Sequence, residues 1–320
     1  MTVARAQALE GPFPIQLADI GALNLLFSDA FTERYRRDGL VGVRVPPLNP
    51  AVWRYAIEGA GTGAMLWRDR HGRIAAFNLA HRSGIEGWMG PLAVREDLQG
   101  EGRGKTIVNA AIAHLQAAQC RVIGLETMPR TMDNIGFYAS LGFVPSRLTV
   151  TMTVDAHHAP RAPRMLSSLS SSGRADAIDA CATLLAETRP GFDYTREIRI
   201  THELALGDTL LLFDRDALAG FALCHSAPLV EGRAREELRV LKLVLRDEAL
   251  ISDLAPQLAD LARRTSTSRA AIRLQGEYGG AFRRLVGLGA RVRWTDLRMT
   301  LAGYDEPPPR TGVALSNWEI

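Results

Sequence analysis

Leu92 to Lys105 reads LAVREDLQGEGRGK, a strand-like run followed by Gln99-Gly100-Glu101-Gly102-Arg103-Gly104 and then a helical pattern. Glycines let a backbone approach a ligand closely and take positive φ. Successive N–H groups at a helix N-terminus make a site for an anion, which the helix dipole strengthens. A phosphate or pyrophosphate is the natural guest. Three patterns compete for this loop. The dinucleotide fingerprint GxGxxG fails, because Lys105 stands where its last glycine belongs. The P-loop GxxxxGK[ST] keeps Gly104-Lys105-Thr106, but Gln99 replaces its first glycine, and Arg95-Glu96-Asp97-Leu98 separate the loop from its strand. The pattern Q/R-x-x-G-x-G/A is met in full by Gln99, Gly102 and Gly104.

A second segment, Asn134-Ile135-Gly136-Phe137-Tyr138-Ala139-Ser140-Leu141-Gly142-Phe143, follows further along. Together the two resemble the GNAT N-acetyltransferase superfamily, with its pyrophosphate loop and its N-x-x-x-F-Y-x-x-L-G-F helix. The resemblance covers roughly Ile15 to Val154. It implies an acyl-CoA donor, acetyl-CoA above all, and direct transfer to an amine in a ternary complex. On that resemblance Gln99, Gly100, Glu101, Gly102, Arg103, Gly104 and Lys105 hold the pyrophosphate. The backbone of Leu92, Ala93 and Val94 takes the pantetheine arm as an added strand. Asn134 and Phe137 join the cofactor site, with Asn134 as cofactor ligand or as N-cap of its helix. A bulge that opens room for the thioester is expected at Met89-Gly90-Pro91, since proline cannot donate to a ladder. A backbone N–H near there would stabilise the oxyanion.

Tyr138 is placed to protonate the departing thiolate, because a phenol of reference pKa ~10 matches a thiolate in basicity. Its alternative is a core aromatic beside Phe137. Glu86 is the leading base for the amine. It precedes Trp88 by two residues and so shares its face of the strand. Glu126, near the open end of the next strand, is the alternative, with His81 behind both. Against each acid stands an ordinary ion-paired surface residue. Arg34-Tyr35-Arg36-Arg37 reads as a polar helix end that could reach the 3′-phosphate of CoA. Trp53, Trp67, Trp88 and Phe77 are core aromatics or the wall of an apolar acceptor pocket. His157-His158 has no third ligand at useful spacing, so no metal is expected.

The positioning elements follow from periodicity. Gln16 to Arg37, Lys105 to Ala118 and Asn134 to Leu141 read as helices, the last stopped by Gly142. Gly63 to Trp67, Ile74 to Leu79, Trp88 to Val94, Arg121 to Met128 and Thr149 to Val154 read as strands. The order then repeats: strands at Thr209 to Phe213, Leu218 to Cys224 and Leu238 to Leu245, a helix at Leu250 to Arg264, a strand at Ala271 to Gln275, a helix at Ala281 to Leu288 and a strand at Leu297 to Leu301. Within Leu250 to Arg264, Pro256 marks a kink or the true start. A constant shift of 147 maps Leu141-Gly142 onto Leu288-Gly289 and Met152-Thr153 onto Met299-Thr300. This argues for an internal duplication. The shift puts Arg246, Ala249 and Ile251 where Gln99, Gly102 and Gly104 stand, and Ala281 and Leu285 where Asn134 and Tyr138 stand. The second copy is therefore expected to be degenerate and unable to bind CoA.

The expected fold class is α/β, as two tandem GNAT-like domains, each a mixed twisted sheet flanked by helices. Residues 1–155 form the catalytic domain, 156–174 a Pro/Ser-rich linker, 175–305 the degenerate domain and 306–320 a docked tail. The 320 residues are 47% hydrophobic and 23% charged, which excludes wholesale disorder. No apolar run approaches the ~20 residues of a membrane helix, and Met1 to Glu10 lacks a secretory pattern. The three cysteines, Cys120, Cys181 and Cys224, form no CxxC and build no disulfide framework. A cytoplasmic setting is expected. A net charge of +3 gives no nucleic-acid footprint. The expected partners are acetyl-CoA and a small-molecule amine. Two rival readings remain at this stage. One is a non-catalytic acyl-CoA sensor. The other is a nucleotide hydrolase built on Gly104-Lys105-Thr106, with Asp155 and Asp214 as metal ligands.

Overall fold

The structure, a computed structural model, describes residues 9–319; Met1–Ala8, most of the Met1 to Glu10 stretch read for a secretory pattern, and Ile320 lie outside it. The first half runs β1 (Glu10–Pro14), α1 (Ile20–Arg37), α2 (Pro50–Ala60), β2 (Ala64–Arg68), β3 (Ile74–Ser83), β4 (Glu86–Val94), α3 (Arg103–Ala117), β5 (Val122–Thr127), α4 (Met132–Ala139) and β6 (Phe143–Asp155). The second runs β7 (Arg164–Met165), α5 (Ser171–Thr188), α6 (Thr195–Glu203), β8 (Gly207–Asp214), β9 (Ala217–His225), β10 (Glu237–Leu245), α7 (Ile251–Arg264), β11 (Arg269–Gln275), α8 (Gly279–Gly287), β12 (Arg291–Leu301) and β13 (Val313–Ser316). Among the described residues no helix is long and apolar enough to cross a membrane.

Local chemistry accounts for several boundaries. Asn49 caps α2 by accepting from the Ala51 N–H at 3.0 Å, and Pro50 takes the first helical position. The β2–β3 hairpin closes because Asp69 accepts the N–H groups of His71 and Arg73 while Gly72 takes φ +75°. Gly142 ends α4 at φ +90°. Pro256 lies inside α7, whose start is Ile251, so the proline is neither start nor stop. Helices α2, α5 and α6 carry no counterpart in the periodicity reading above. Helix α5 begins at Ser171, within the stretch read as linker, where Ser170 caps it.

The two expected sheets are fused. The strand order is β1-β2-β3-β4-β5-β12-β6-β11-β10-β9-β8-β7, with β13 on β10, a 13-stranded sheet in all. The fusion is an exchange. Strand β12 of the second half lies between β5 and β6 of the first, and β6 lies between β11 and β12 of the second. Antiparallel ladders hold the exchanged strands, from Thr127 opposite Leu297 on one side to Asp155 opposite Arg269 on the other. The duplication is visible in the elements: a shift of 147 carries Val122, the start of β5, onto Arg269, the start of β11, and Met132 of α4 onto Gly279 of α8.

Helices cover both faces of this sheet. Helices α1 and α2 bury Leu23, Phe27 and Trp53 against Leu66, Phe77 and Leu79. Helices α3 and α4 bury Ile107, Val108 and Tyr138 against Leu125, Phe143 and Met299 on the opposite face. Helices α5 and α6, and then α7 and α8, do the same for the second half. Trp53, Trp67 and Phe77 belong wholly to the core, as does Trp88. None lines the cavity described next, so of their two readings the structure keeps the core and drops the acceptor wall.

Candidate active site

Strand β4 is hydrogen-bonded to β5 only through Glu86, Gly87 and Trp88. Beyond Trp88 the two strands part. Against β3, Asn78 faces Leu92 but Ala80 faces Met89, so β4 carries one residue too many between them. The bulge is at Gly90-Pro91, as the sequence requires of a proline inside a strand. The split holds a cavity of about 640 Å³. Its walls are Met89 to Val94 on one side and Leu125 to Met128 on the other, and the glycine loop lies at one end.

Most of the expected cofactor residues meet in this one space. Leu92, Ala93, Val94, Gln99, Gly100, Gly102, Gly104, Lys105, Asn134, Phe137 and Tyr138 all line it. Gly100 at φ +84° and Gly102 at φ +77° hold the left-handed turns that aim the loop, and open space surrounds both. Gly104 has a different reason. A Cβ there would stand 3.1 Å from Cζ of Phe137, so the residue must be small for α3 to pack on α4. The two sequence motifs are thus in contact. Gln99 donates from Nε2 to the Val94 carbonyl at 2.8 Å and ties the loop to the end of β4. Glu101 and Arg103 do not line the cavity. They form an ion pair at 2.5 Å, and Arg103 donates to the Leu98 carbonyl at 3.2 Å, so both brace the loop from behind. Asn134 is not an N-cap: Thr131 occupies that position and Asn134 lies inside α4. Of the basic run at the end of α1, Arg34 and Arg37 reach the cavity. Arg37 is shared among Glu33, Glu96 and Gln99.

Tyr138 lines the cavity from the α4 face and is buried among Leu125, Phe143 and Met299. Burial pushes its phenol up to about 12, so the proton stays on oxygen. The bases fare differently. Glu86 is fully buried and outside the cavity. Its carboxylate accepts from Trp318 Nε1 at 2.8 Å and Ser316 Oγ at 3.0 Å, with Lys242 Nζ at 3.8 Å. It is an anchor for the chain's end rather than a base. The sequence could not show this, because Ser316 and Trp318 lie more than two hundred residues away and Lys242 more than one hundred and fifty. His81 is likewise buried. It stacks on Trp88 at 3.9 Å, and the cost of burying a cation lowers its pKa to about 3. Glu126 does line the cavity. Burial disfavours its charge, but Arg273 at 2.7 Å and Arg298 at 3.1 Å more than offset this and hold it below the usual carboxylate range. It is a fixed anion and a weak base.

Strands alternate their faces. Leu125 and Met299 point toward α3 and α4, so Glu126 and Arg298 point to the other side. There the cavity is closed by residues no motif flagged: Trp294 and Asp296 of β12, and Glu319. All three come from the second half of the chain.

The second half has a matching split, but it is filled. Strand β10 is paired with β11 only through Glu237, Leu238 and Arg239. Past that point Leu243, Val244 and Leu245 pair with Leu315, Ala314 and Val313 of β13. These three stand as far along β10 as Leu92, Ala93 and Val94 stand along β4. The corresponding loop offers acids instead of glycines: Asp247 caps the Ala249 N–H at 2.7 Å, and Glu248 accepts from Ala281 N. Leu285, the counterpart of Tyr138, is core. Asp155 and Asp214, named above as metal ligands, do not line the cavity. Among the described residues no group of three side chains could hold a metal ion.

A split sheet with a glycine loop at one end of the gap is the architecture to set beside known proteins. Residues 29–143 match the family described as acetyltransferase (GNAT). No curated protein matches the sequence significantly. Solved structures extend the likeness to the whole chain. A GCN5-related N-acetyltransferase from Sphaerobacter thermophilus is 14% identical with a TM-score of 0.61, covering 100% of both chains. A tandem GNAT protein from the clavulanic acid biosynthesis pathway is 14% identical with a TM-score of 0.60, over 92% of this chain and 98% of that one. Saccharomyces cerevisiae N-myristoyltransferase with bound myristoyl-CoA is 10% identical with a TM-score of 0.63, over 98% and 86%. The chain therefore has the tandem GNAT fold.

Proposed function

We propose that this protein transfers an acetyl group from acetyl-CoA to the amine of a small molecule, by direct attack in a ternary complex. One observation carries the reading: eleven of the residues expected to hold the cofactor line a single cavity, and the open edge of β4 runs through it. The pyrophosphate would rest on the N–H groups from Gln99 to Lys105, at the N-terminus of α3. The pantetheine arm would pair with Leu92, Ala93 and Val94, as β13 pairs with the matching residues of β10. The thioester then lies in the split, with Tyr138 beside the sulfur as the general acid. Only one donor site per chain is proposed, because β13 fills the other. Three buried thiols and an acetyl-CoA donor suit a cytoplasmic setting.

Calorimetric titration of the full chain with acetyl-CoA, with ATP as control, tests this. One acetyl-CoA site per chain and no ATP binding are expected. Two sites would overturn the claim about the second half. ATP binding without acetyl-CoA binding would move the reading to a nucleotide hydrolase. Acetyl-CoA binding with no thiol release from any amine would make the protein a sensor.

A further inference from the structure

We propose that Asp296, supplied by the second half of the chain, accepts the proton of the attacking amine, and that Asp296 and Glu319 together select a cationic acceptor. This rests on the donor reading above and adds the acceptor side to it.

The geometry is as follows. Asp296 lies on β12 one residue before Leu297, which faces Thr127 at the end of β5. It therefore sits at the rim of the split, on the face opposite Tyr138. Its side chain is 1% exposed, yet it lines the cavity. Oδ1 accepts from Trp294 Nε1 at 3.1 Å. Oδ2 is buried without any hydrogen-bond donor. The nearest cation, Arg273 Nη2 of β11, stands 3.0 Å from Oδ2 as an ion pair without hydrogen-bond geometry, while it donates to Glu126 at 2.7 Å. A buried carboxylate oxygen with no donor is costly. An ammonium arriving through the cavity would satisfy it.

Charge counting agrees. Three carboxyls face this end of the cavity: Asp296, Glu126 of β5, and Glu319 of the tail. Arg273 serves all three, at 3.0, 2.7 and 2.8 Å. Arg298 also reaches Glu126, but it shares its charge with Glu306 at 2.8 Å. Tyr35 of α1 completes the wall, and Arg130 stacks on Trp294 at 5.7 Å and does not itself line the cavity. The buried guanidinium of Arg239 on β10 also acts on Glu319, but Arg239, Arg273 and Arg298 do not line the cavity, so the charged groups an acceptor meets at this end are the three carboxyls. Burial, then the charges of Glu319 and Glu126, lift the Asp296 carboxyl to about 7 against the pull of Arg273. That is where a general base works well near neutral pH.

The step balances. The ammonium gives one proton to Asp296 Oδ2, and the freed lone pair attacks the thioester carbon. The C–S bond breaks as Tyr138 protonates the sulfur. The surplus proton on the new amide nitrogen leaves through water and restores Tyr138. The products are the amide, free CoA thiol and a protonated Asp296 that reionises.

The test uses the full chain, acetyl-CoA, and 1,5-diaminopentane as the cationic probe, with 1,5-pentanediol as its neutral counterpart. The diamine should bind and release protons, read by calorimetry in two buffers, while the diol should not bind. Thiol release should follow with the diamine. Asp296→Asn should cut kcat by roughly 100-fold with acetyl-CoA affinity unchanged. It should also remove the break near pH 7 in kcat/KM, leaving only the rise toward the amine's own pKa. Glu319→Gln, at a half-exposed position that tolerates change, should raise KM for the diamine more than it lowers kcat. Retention of the rate and of the break in Asp296→Asn would overturn the base. Binding of the diol as tightly as the diamine, or no binding of the diamine, would overturn the cationic acceptor. Binding without turnover would also overturn the catalytic role. Loss of acetyl-CoA binding alone would instead strike the donor reading, since proton release on diamine binding needs no CoA.

Discussion

Tyr138 and Asp296 face the split from opposite sides of the sheet, and each has its protonation tuned by burial. For Tyr138 the consequence is simple. A phenol pushed up to about 12 is fully protonated across the working range, so it can donate at any ordinary pH. Tyr138→Phe should lower kcat by about 10²–10⁴-fold and leave acetyl-CoA affinity unchanged. The wild-type rate should show no alkaline fall assignable to Tyr138 below about pH 10, since that limb needs the phenolate. Asp296 works in the other direction. Its carboxyl is held near 7, above its unfolded value, so the native state binds more protons than the unfolded chain between about pH 4 and pH 7. Native stability therefore falls as pH rises through that window. Asp296→Asn should raise the thermal midpoint at pH 8 and lose that advantage at pH 4, as scanning calorimetry would show. Glu86 is the contrast. Glu86→Gln should keep turnover while lowering the midpoint, because its carboxylate holds Trp318 and Ser316 rather than a substrate. These three residues show what the sequence could reveal. Tyr138 was legible because its motif lies on one short helix. Glu86 misled because a strand position reveals the face but not what covers it. Asp296 was invisible because its neighbours come from β5, β11 and the tail.

Elements extend the same lesson. The glycine loop reads as a strand–loop–helix unit and the Asn134–Phe143 segment as a helix stopped by Gly142, and their boundaries fall within a few residues of those seen. What links them is Gly104 against Phe137. Gly104→Val should push α3 off α4 and weaken acetyl-CoA binding by about tenfold or more, where tenfold is about 1.4 kcal/mol; calorimetry reads it directly. Strands β2 to β5 were legible as short apolar runs bounded by turns, being buried along most of their length, and β6 through the alternation of Thr149 to Val154. The missed helices have other reasons: α2 is buried on most of its turns, and α5 has a nearly uniform mix of small and polar residues that blurs its period. β13 is four residues long and becomes a strand only because the split in β10 offers it an unpaired edge. The degeneracy of the second copy showed in its lost glycines, whereas the physical plug came only with the structure.

At the scale of the whole molecule the exchange of β6 and β12 decides how the chain behaves. Neither half owns a complete sheet. Without β12, strands β5 and β6 of the first half have a gap between them; without β6, so do β11 and β12. A buried ion network crosses the same seam. Arg298 of β12 bonds Glu126 of β5 at 3.1 Å and Glu306 at 2.8 Å, and Glu306 also takes Arg189, just past the end of α5, and Arg147 of β6. Burial alone would neutralise Glu306, but the three guanidiniums hold its pKa down near 2. Removing one partner of such a network leaves a buried charge unpaired, which typically costs about 3–5 kcal/mol. Two independent domains joined by a linker would unfold in two steps. The exchanged strands require one. Calorimetry of the full chain should give a single transition whose van't Hoff and calorimetric enthalpies agree. Glu306→Gln should move that one transition down as a whole rather than split it. Two resolved transitions, or a Glu306→Gln shift confined to one of them, would mean the halves fold separately. The proposed acceptor base would then sit on a domain free to part from its thioester. A single transition fits the chemistry better: β13 fills the split of the second half, while β12 and the tail wall the cavity of the first.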